Sequence, residues 1–600
     1  LKIQMKQPIN AARGNIYDKN GKLLAYNELA YSISINDSTT YSSTKEKNKA
    51  VNAELAEILT VLKNNGETLN NDFKIDRKKD GTYSFNVSGS SLNRFRADVF
   101  GKGSADDLEY DKETGIDEAN ATAEQIMEYL MGKDNFGISS KYDGDLAYRI
   151  VVVRYAMLGN RFARYKEVKI ATDVSDKTVA YVNEHMDTLS GISVNEDMIR
   201  KYNYSEYFSS IIGYTGPISE SEYTALHKKN KDYTQNDTVG KAGMEQHYET
   251  YLRGKNGEQK FYIDNVGRIS EIISSTDSVA GDDLYLSIDA DLQKATYLAL
   301  QNEIAAIVYS NIKSGEIPIN DVYTALIGNS VINTEHFSKA KASDTEKNVL
   351  SVFKSRQKTT LGKIKQELTS SPEALNTMSD EVLDEFTYII SMLKDDQVLL
   401  KNEIDTSDSV YQKWKNQKIS PKEYLSYCIT QHWIDISQLN VDEKYADSTE
   451  VYDALCKYIL KNIKTDTEFS KIIYQYMITR GEISPRQLCL ILFDQGVLDY
   501  DDATVNKLKN GSLSPRDFLM KKIYNIEITP AQLALEPCIG SCVVTDEKTG
   551  EILAMVSYPG YDSNKLANGV DSEYFASLQH DKSSPLLNYA TQQKTAPGST

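Results

Sequence analysis

The chain has 600 residues, 68 basic and 86 acidic side chains, a net charge of −18 and an apolar fraction of 40%. That length allows several packed domains, and the acidic balance argues against a nucleic-acid-binding surface. No run approaches the ~20 apolar residues of a spanning helix, the best short stretch being Phe386 to Leu393. The cysteines, Cys428, Cys456, Cys489, Cys538 and Cys542, include no Cys-x-x-Cys pair, and the histidines include no His-x-x-x-His or His-Glu-x-x-His set. Neither a disulfide framework nor a metal site is expected, and nothing points to a cofactor. Cys538 and Cys542 are read as two small core residues, although a curled chain would let them bridge. No leader peptide is expected, and a first residue of Leu1 rather than Met leads us to expect a sequence cut at its N-terminus.

In chain order, the first signal is Arg13-Gly14-Asn15-Ile16-Tyr17-Asp18-Lys19-Asn20-Gly21, continuing to Lys22-Leu23-Leu24-Ala25. Asn20-Gly21 predicts a hairpin turn, with Leu24, Ala25, Ile33 and Ile35 in the strands that follow. Arg13 and Asp18 can pair across it. From about Tyr41 to Lys166 the pattern is of acidic helices with one short strand, where Tyr83, Phe85 and Val87 alternate after the Asp80-Gly81 turn. Two further clusters follow: Arg200, Tyr202, Ile212, Gly213, Tyr214 and Gly216, then Asp237 to Glu245 with Tyr248, Glu249, Leu252, Arg253, Gly254 and Gly257. They read as glycine turns and buried charge pairs with a structural role. Gly240-Lys241 is not a phosphate loop, because the Gly-x-x-x-x-Gly-Lys-Ser/Thr spacing is absent.

Gly281 to Asp289 reads as a strand, and the helix after it sets Leu292, Ala295, Ala299 and Ala306 on one apolar face. A polar stretch with helical periodicity then runs to about Thr529. Its helices are predicted to start at Ser371-Pro372, Ser420-Pro421, Ser484-Pro485, Ser514-Pro515 and Thr529-Pro530, where Ser or Thr caps free N–H groups and Pro fits the first turn. Glu423 and Gln487 would complete capping boxes, and Leu488, Leu490, Ile491 and Leu492 supply an apolar face. The spacing is too irregular for a solenoid. Ser541 to Ser557 reads as two strands about the Asp546–Gly550 turn. Val543, Val544, Ile552, Leu553, Met555 and Val556 are apolar on both faces, as in a covered sheet.

The chain ends Ala596-Pro597-Gly598-Ser599-Thr600. Alone, Pro-Gly-Ser-Thr is an ordinary loop-to-helix cap. It is also the first half of a Ser-x-x-Lys site, in which a serine at a helix N-terminus shares a face with a lysine three residues on. Desolvation and neighbouring charge would tune that amine as a base, and free N–H groups would face the developing oxyanion.

The context decides between these. The hairpin, the Pro559-Gly560-Tyr561-Asp562-Ser563-Asn564 loop, Pro585-Leu586-Leu587-Asn588-Tyr589-Ala590 and Pro-Gly-Ser-Thr, in that order, resemble the opening of the penicillin-binding transpeptidase domain. Tyr589 departs from the arginine usual there. The Arg13–Gly21 stretch and the two clusters up to Gly257 resemble the pedestal of class B penicillin-binding proteins. The resemblance implies a multidomain α+β chain. Residues 1–280 would be a mostly β pedestal with a head subdomain at about 41–166, and 281–310 the start of an α/β sandwich transpeptidase domain. An all-α insertion would fill 311–527, and 528–600 would hold the N-terminal part of that domain.

It also implies a peptidoglycan D,D-transpeptidase with Ser599 as the acylated nucleophile, acting on stem peptides and trapped by β-lactams. A single N-terminal membrane anchor would lie outside this chain, with the bulk extracytoplasmic and a membrane-embedded glycan polymerase as partner. The lysine, Ser-x-Asn and Lys-Thr-Gly motifs would fall beyond Thr600, so we expect the 600-residue piece to be inactive. Competing readings are a non-catalytic scaffold of the wall-synthesis complex and a β-lactam sensor. The helical insertion is read as a spacer packed on its neighbours, against a docking surface for another wall protein.

Overall fold

The computed structural model describes residues 3–594, apart from 37–40, 79–80, 88, 113, 160–166, 236, 264–268, 371–372, 440–446 and 569–570. Asn20-Gly21 forms the expected turn: Gly21 takes φ +82°, a conformation that suits glycine, and Ile16–Tyr17 pairs antiparallel with Leu23–Ile35. Asp18, fully buried, organises it. One carboxylate oxygen accepts from the N–H groups of Asn20 and Lys22, both at 2.8 Å, and the other from Ala290 at 3.0 Å. Asp18 is therefore spoken for, and Arg13 pairs elsewhere.

Leu23–Ile35 is the centre of a five-stranded sheet. One edge carries Ile16–Tyr17 and Val168–Thr172; the other pairs antiparallel with Ile192–Tyr202, from Ala25 opposite Tyr202 to Ile35 opposite Ile192. The strand expected over 281–289 shrinks to Leu284–Tyr285, which lies parallel to Ile16–Tyr17 and so joins this N-terminal sheet. Helices Thr44–Asn65 and Gly144–Gly159 cover one face, burying Leu55, Ile58, Leu59, Ile150 and Val153 against Ile33, Ile35 and Ile170. Val87 lies outside the small hairpin Ile75–Arg77/Tyr83–Phe85, and Asp80 falls outside the described residues. Among the described residues up to 280, helix outweighs strand only because of 41–166, where most residues are helical; in the rest, taken together, strand outweighs helix. The buried face carries Ile33, Ile35 and Ile170, and an apolar sheet face must be packed against another element, here the two helices.

The 25-residue helix Ala290–Ser314 opens the next unit. Its apolar stripe was expected at Leu292, Ala295, Ala299 and Ala306, yet Ala295, Ala299 and Ala306 are exposed and Leu292 half-buried. The buried face carries Gln293, Tyr297, Gln301, Ile304, Val308 and Ile312. Polar side chains win it because each finds partners: both amide atoms of Gln293 bond to Met555, and Tyr297 donates to Glu206 at 3.1 Å. Helices from Ile319–Gly328 to Pro530–Leu533 complete a single apolar core that also takes in Val556 and Tyr558 of the C-terminal hairpin.

Among the described residues of this unit the chain passes from helix to helix four times through the same kind of junction: Asn416 to Pro421, Arg480 to Pro485, Asn510 to Pro515 and Asn525 to Pro530. In each, the second residue is left-handed, at φ 59° for Gln417, 74° for Gly481, 79° for Gly511 and 59° for Ile526. An apolar residue then seats in the core (Ile419, Ile483 and Ile528 buried, Leu513 half-buried), and Ser or Thr caps the next helix ahead of Pro. The device joins a left-handed helix end, its hydrophobic staple and an N-cap in six residues. Ser484 and Thr529 form reciprocal capping boxes with Gln487 and Gln532. Ser420 accepts from Glu423 N–H without the return bond, and Ser371-Pro372 lies outside the described residues. Behind Ser484, Leu488, Ile491 and Leu492 are buried while Leu490 is half-buried.

Gly540–Thr545 and Ile552–Tyr558 form the expected antiparallel hairpin about Gly550, at φ +75°. Its covering is one-sided. Val556 and Tyr558 lie in the core with Cys542 packed against them, whereas Val543 is 47% and Ile552 37% exposed. Two covered faces were expected; among the described residues only the helical unit and a few N-terminal side chains supply a cover. Cys538 is buried, Cys542 half-buried, and neither is bridged.

Candidate functional site

Ser599 lies outside the described residues. The structure does describe the path that leads to it. After the hairpin, the loop Tyr558 to Asn564 lies along helix Ser205–Ile212 in a polar clamp. Gly560 N–H donates to the Tyr297 hydroxyl at 3.2 Å, which in turn donates to Glu206. Tyr561 N–H donates to Ser209 Oγ at 3.0 Å and its hydroxyl to Ser209 O at 3.1 Å. Ser205 Oγ donates to Asp562 at 2.8 Å and accepts from Ser563 N–H at 2.6 Å.

A Cβ at Gly560 would overlap the carbonyl oxygen of Glu206, because the loop backbone rests directly on the helix backbone. Gly560→Ala should therefore cost about 1–3 kcal/mol by overpacking and open this loop to cleavage. Limited proteolysis at Pro559 to Lys565 checks it, and a variant as resistant as the parent would show that the contact yields.

Two asparagines continue the clamp. Asn564 accepts from Tyr202 N–H at 2.8 Å and donates to Tyr202 O at 2.9 Å; Asn568 accepts from Arg200 N–H at 2.7 Å and donates to Arg200 O at 2.8 Å. Further on, Ser557 Oγ donates to Leu587 O at 3.2 Å and accepts from Tyr589 N–H at 2.9 Å. Asn588 caps the short helix Tyr589–Gln592 and donates to Ser210 O at 3.1 Å. Tyr589, the departure from the family pattern, is buried, with its hydroxyl on Ser583 O at 2.8 Å. The chain enters the last described residues fixed to the hairpin on one side and to helix Ser205–Ile212 on the other.

Beneath Arg200 lies the charge network. Glu245, 0% exposed, takes Arg13 at 2.6 Å and Arg200 at 2.7 Å, with the Tyr202 hydroxyl at 3.3 Å; Arg13 also reaches Glu249 at 2.8 Å. Glu249 accepts from Tyr233 OH and from Gly240 N–H, and Arg253 pairs with Asp237. Burial would push the Glu245 carboxyl up, but Arg13 and Arg200 outweigh it and hold the group below the usual carboxylate range. Burial likewise opposes the Arg13 charge, and Glu245 and Glu249 overcome it. Burial, then the Glu245 charge, pushes the Tyr202 phenol up. These groups stay in one protonation state at neutral pH and are tied to one another, which suits a structural pin and not proton transfer. Lys241 pairs with Glu222, and Gly240 packs against the Glu245 backbone, so no phosphate cradle exists there. Sequence reasoning named Arg13, Arg200, Glu245 and Glu249 but missed their pairing, and it missed Tyr233, Glu222, Asn568, Gln293 and Ser209 altogether.

Two family profiles match the chain: the Penicillin-binding Protein dimerisation domain over residues 8–286 and the Penicillin binding protein transpeptidase domain over residues 540–600. Together they take in more than half of it. Over 157 residues the chain is 28% identical to peptidoglycan D,D-transpeptidase MrdA of Salmonella typhimurium (strain SL1344), covering 26% of this chain and 25% of that protein. Over 136 residues it is 34% identical to penicillin-binding protein 2A of Bacillus subtilis (strain 168), covering 22% and 19%. The matched part thus spans about a quarter or less of these relatives. A solved complex between Penicillin-Binding Protein (PBP2) and MreC from Helicobacter pylori aligns with a TM-score of 0.28 and 17% identity, covering 50% of this chain and 39% of that one. The two profiles fall in the same order as the motifs of the sequence and meet the clamp described above. The chain, a mixed α/β multidomain protein, belongs to the class B penicillin-binding proteins.

Proposed function

We propose that the full-length protein is a peptidoglycan D,D-transpeptidase with Ser599 as its nucleophile. The observation that carries this is the transpeptidase-domain match over residues 540–600, which ends on Pro597-Gly598-Ser599-Thr600. Ser599 Oγ would attack the carbonyl carbon of the penultimate D-Ala in a stem peptide. The peptide bond to the terminal D-Ala breaks, that residue leaves as its amine, and an ester joins stem to serine. An amine of a neighbouring stem then attacks the ester, forms the cross-linking amide and returns the serine hydroxyl. A β-lactam opens its ring on the same oxygen.

In this reading residues 1–280 are the pedestal with its head at about 41–166, 311–527 the helical insertion, and 528–600 the opening of the catalytic domain. The insertion is a brace and not a free docking module, a view supported by its sharing one core with Val556 and Tyr558. An extracytoplasmic site with an N-terminal anchor and a membrane-embedded glycan polymerase as partner fits the family; no helix among the described residues is long and apolar enough to cross a membrane.

Fluorescent penicillin tests the reading. The full-length protein should label covalently, and Ser599→Ala should abolish labelling. A polypeptide of residues 1–600 holds the serine without a lysine three residues on and should stay unlabelled. Failure of the full-length protein to label would move the function to scaffolding, while labelling of residues 1–600 would show the lysine to be dispensable.

A further inference from the structure

The geometry points to Asn564 and Asn568 as positioning residues for Ser599, acting through the edge strand Ile192–Tyr202; this rests on the acyl-transfer reading above. That strand pairs with Leu23–Ile35 on one side only, and among the described residues no strand occupies its other edge. In an antiparallel ladder every second residue turns its N–H and C=O outward. Here the outward groups of Arg200 and Tyr202 are each closed by one side-chain amide, with all four bonds between 2.7 and 2.9 Å. Asn564 lies within a turn of 3-10 helix, Ser563–Lys565, and Asn568 three residues past it, and the two meet strand positions two apart, about 6.8 Å.

Asparagine suits the task because its short planar amide offers one donor and one acceptor side by side. Aspartate keeps the acceptor for the strand N–H and loses the donor. Alanine loses both and leaves an open strand edge. The edge strand is itself immobilised, since the Arg200 side chain is held by Glu245 in the buried network. Arg200 is thus fastened at both ends, by its backbone to the C-terminal loop and by its guanidinium to the N-terminal body. Asn588 adds a third amide, on Ser210 O just past the same strand, seven residues before the chain leaves the described region. The described part of the chain before the nucleophile is therefore tied to one strand edge and the helix that follows it.

Displacing a reacting group by about 1 Å costs on the order of 100-fold in rate. In the full-length protein, Asn564→Ala/Asn568→Ala should lower the first-order rate of penicillin acylation by about 10- to 100-fold, with half-saturation changed little. Asn564→Asp/Asn568→Asp should recover part of that loss. Asn70→Ala removes an amide that bonds to Lys169 O and Thr172 elsewhere in the N-terminal body, and it should acylate normally. Hydrogen exchange should show the Arg200 and Tyr202 amides losing protection in the alanine pair while the core of Leu23–Ile35 keeps it. An acylation rate equal to that of the parent, or a loss shared with Asn70→Ala, would overturn the positioning role. Absence of acylation in the parent would instead overturn the transpeptidase reading beneath it.

Discussion

Glu245→Ala should destabilise the N-terminal body by about 3–5 kcal/mol, the range for removing one partner of a buried ion pair. Among the described residues Glu245 is the one anion that pairs with both Arg13 and Arg200, at 2.6 and 2.7 Å. Its removal leaves two guanidinium groups in a site where Arg200 Nη2 already lacks a partner, and Arg13 keeps Glu249 and the carbonyl oxygen of residue 245. The cost is desolvated charge left unpaired, and it far exceeds the net worth of the pair itself. Distance alone would mislead here: Lys22 and Asp291 approach to 2.5 Å, but both lie in solvent, and Lys22→Ala should move stability far less. Because the folded-state Glu245 carboxyl sits below its unfolded value, its contribution is present above pH ~4.5 and is lost as the pH falls through the folded value. Glu245→Gln should flatten that acid limb. Hydrogen exchange along Leu23–Ile35 and Ile192–Tyr202 under increasing urea reads the loss at the sheet the network supports. A change of under about 1 kcal/mol would place the network with ordinary surface pairs.

What could be read from the sequence was what is decided locally. Asn20-Gly21 turns because two adjacent residues permit it, and Ser484-Pro485 starts a helix because its cap lies three residues away. Arg13 illustrates the limit. Its type announced a charge pair, but Asp18, five residues on, is consumed by its own turn, and the true partner is Glu245. The helix Ala290–Ser314 shows the same limit in another form. Counting apolar positions selects Ala295, Ala299 and Ala306, whereas the buried face is held by Gln293 and Tyr297 through bonds to Met555, Tyr207 and Glu206. No periodicity announces an amide that closes another segment's backbone, which is also why Asn568 went unread. The four helix junctions were half legible: the Ser-Pro caps stood out, but the left-handed residue before them is Gly in two cases and Gln or Ile in the others.

The helical unit should lose about 3 kcal/mol of stability between pH 6 and pH 9 through Glu385. Glu381 and Glu385 stand one turn apart on helix Asp380–Asp395, and Glu385 is only 1% exposed. Glu381 is claimed by Arg356 at 3.0 Å and Arg480 at 2.5 Å; Glu385 Oε1 has no hydrogen-bond partner. Burial, then the neighbouring Glu381 charge, pushes the Glu385 carboxyl up to about 8. Asp384 adds to that push, while Lys363 and Arg356 oppose it. The folded chain therefore holds this proton where the unfolded chain, titrating near 4.5, has released it. Stability is full below the unfolded value, falls by ~1.4 kcal/mol for each pH unit up to about 8, and levels off above that. The two tryptophans of the chain, Trp414 and Trp433, both lie in this unit, so their fluorescence during urea unfolding reports on it alone. Glu385→Gln should remove Glu385's share of the slope and exceed the parent in stability at pH 9. The difference between the two proteins separates that share from every other titrating group. Parallel pH profiles for the two would show that Glu385 is ionised in the folded chain, with Lys363 and Arg356 outweighing burial.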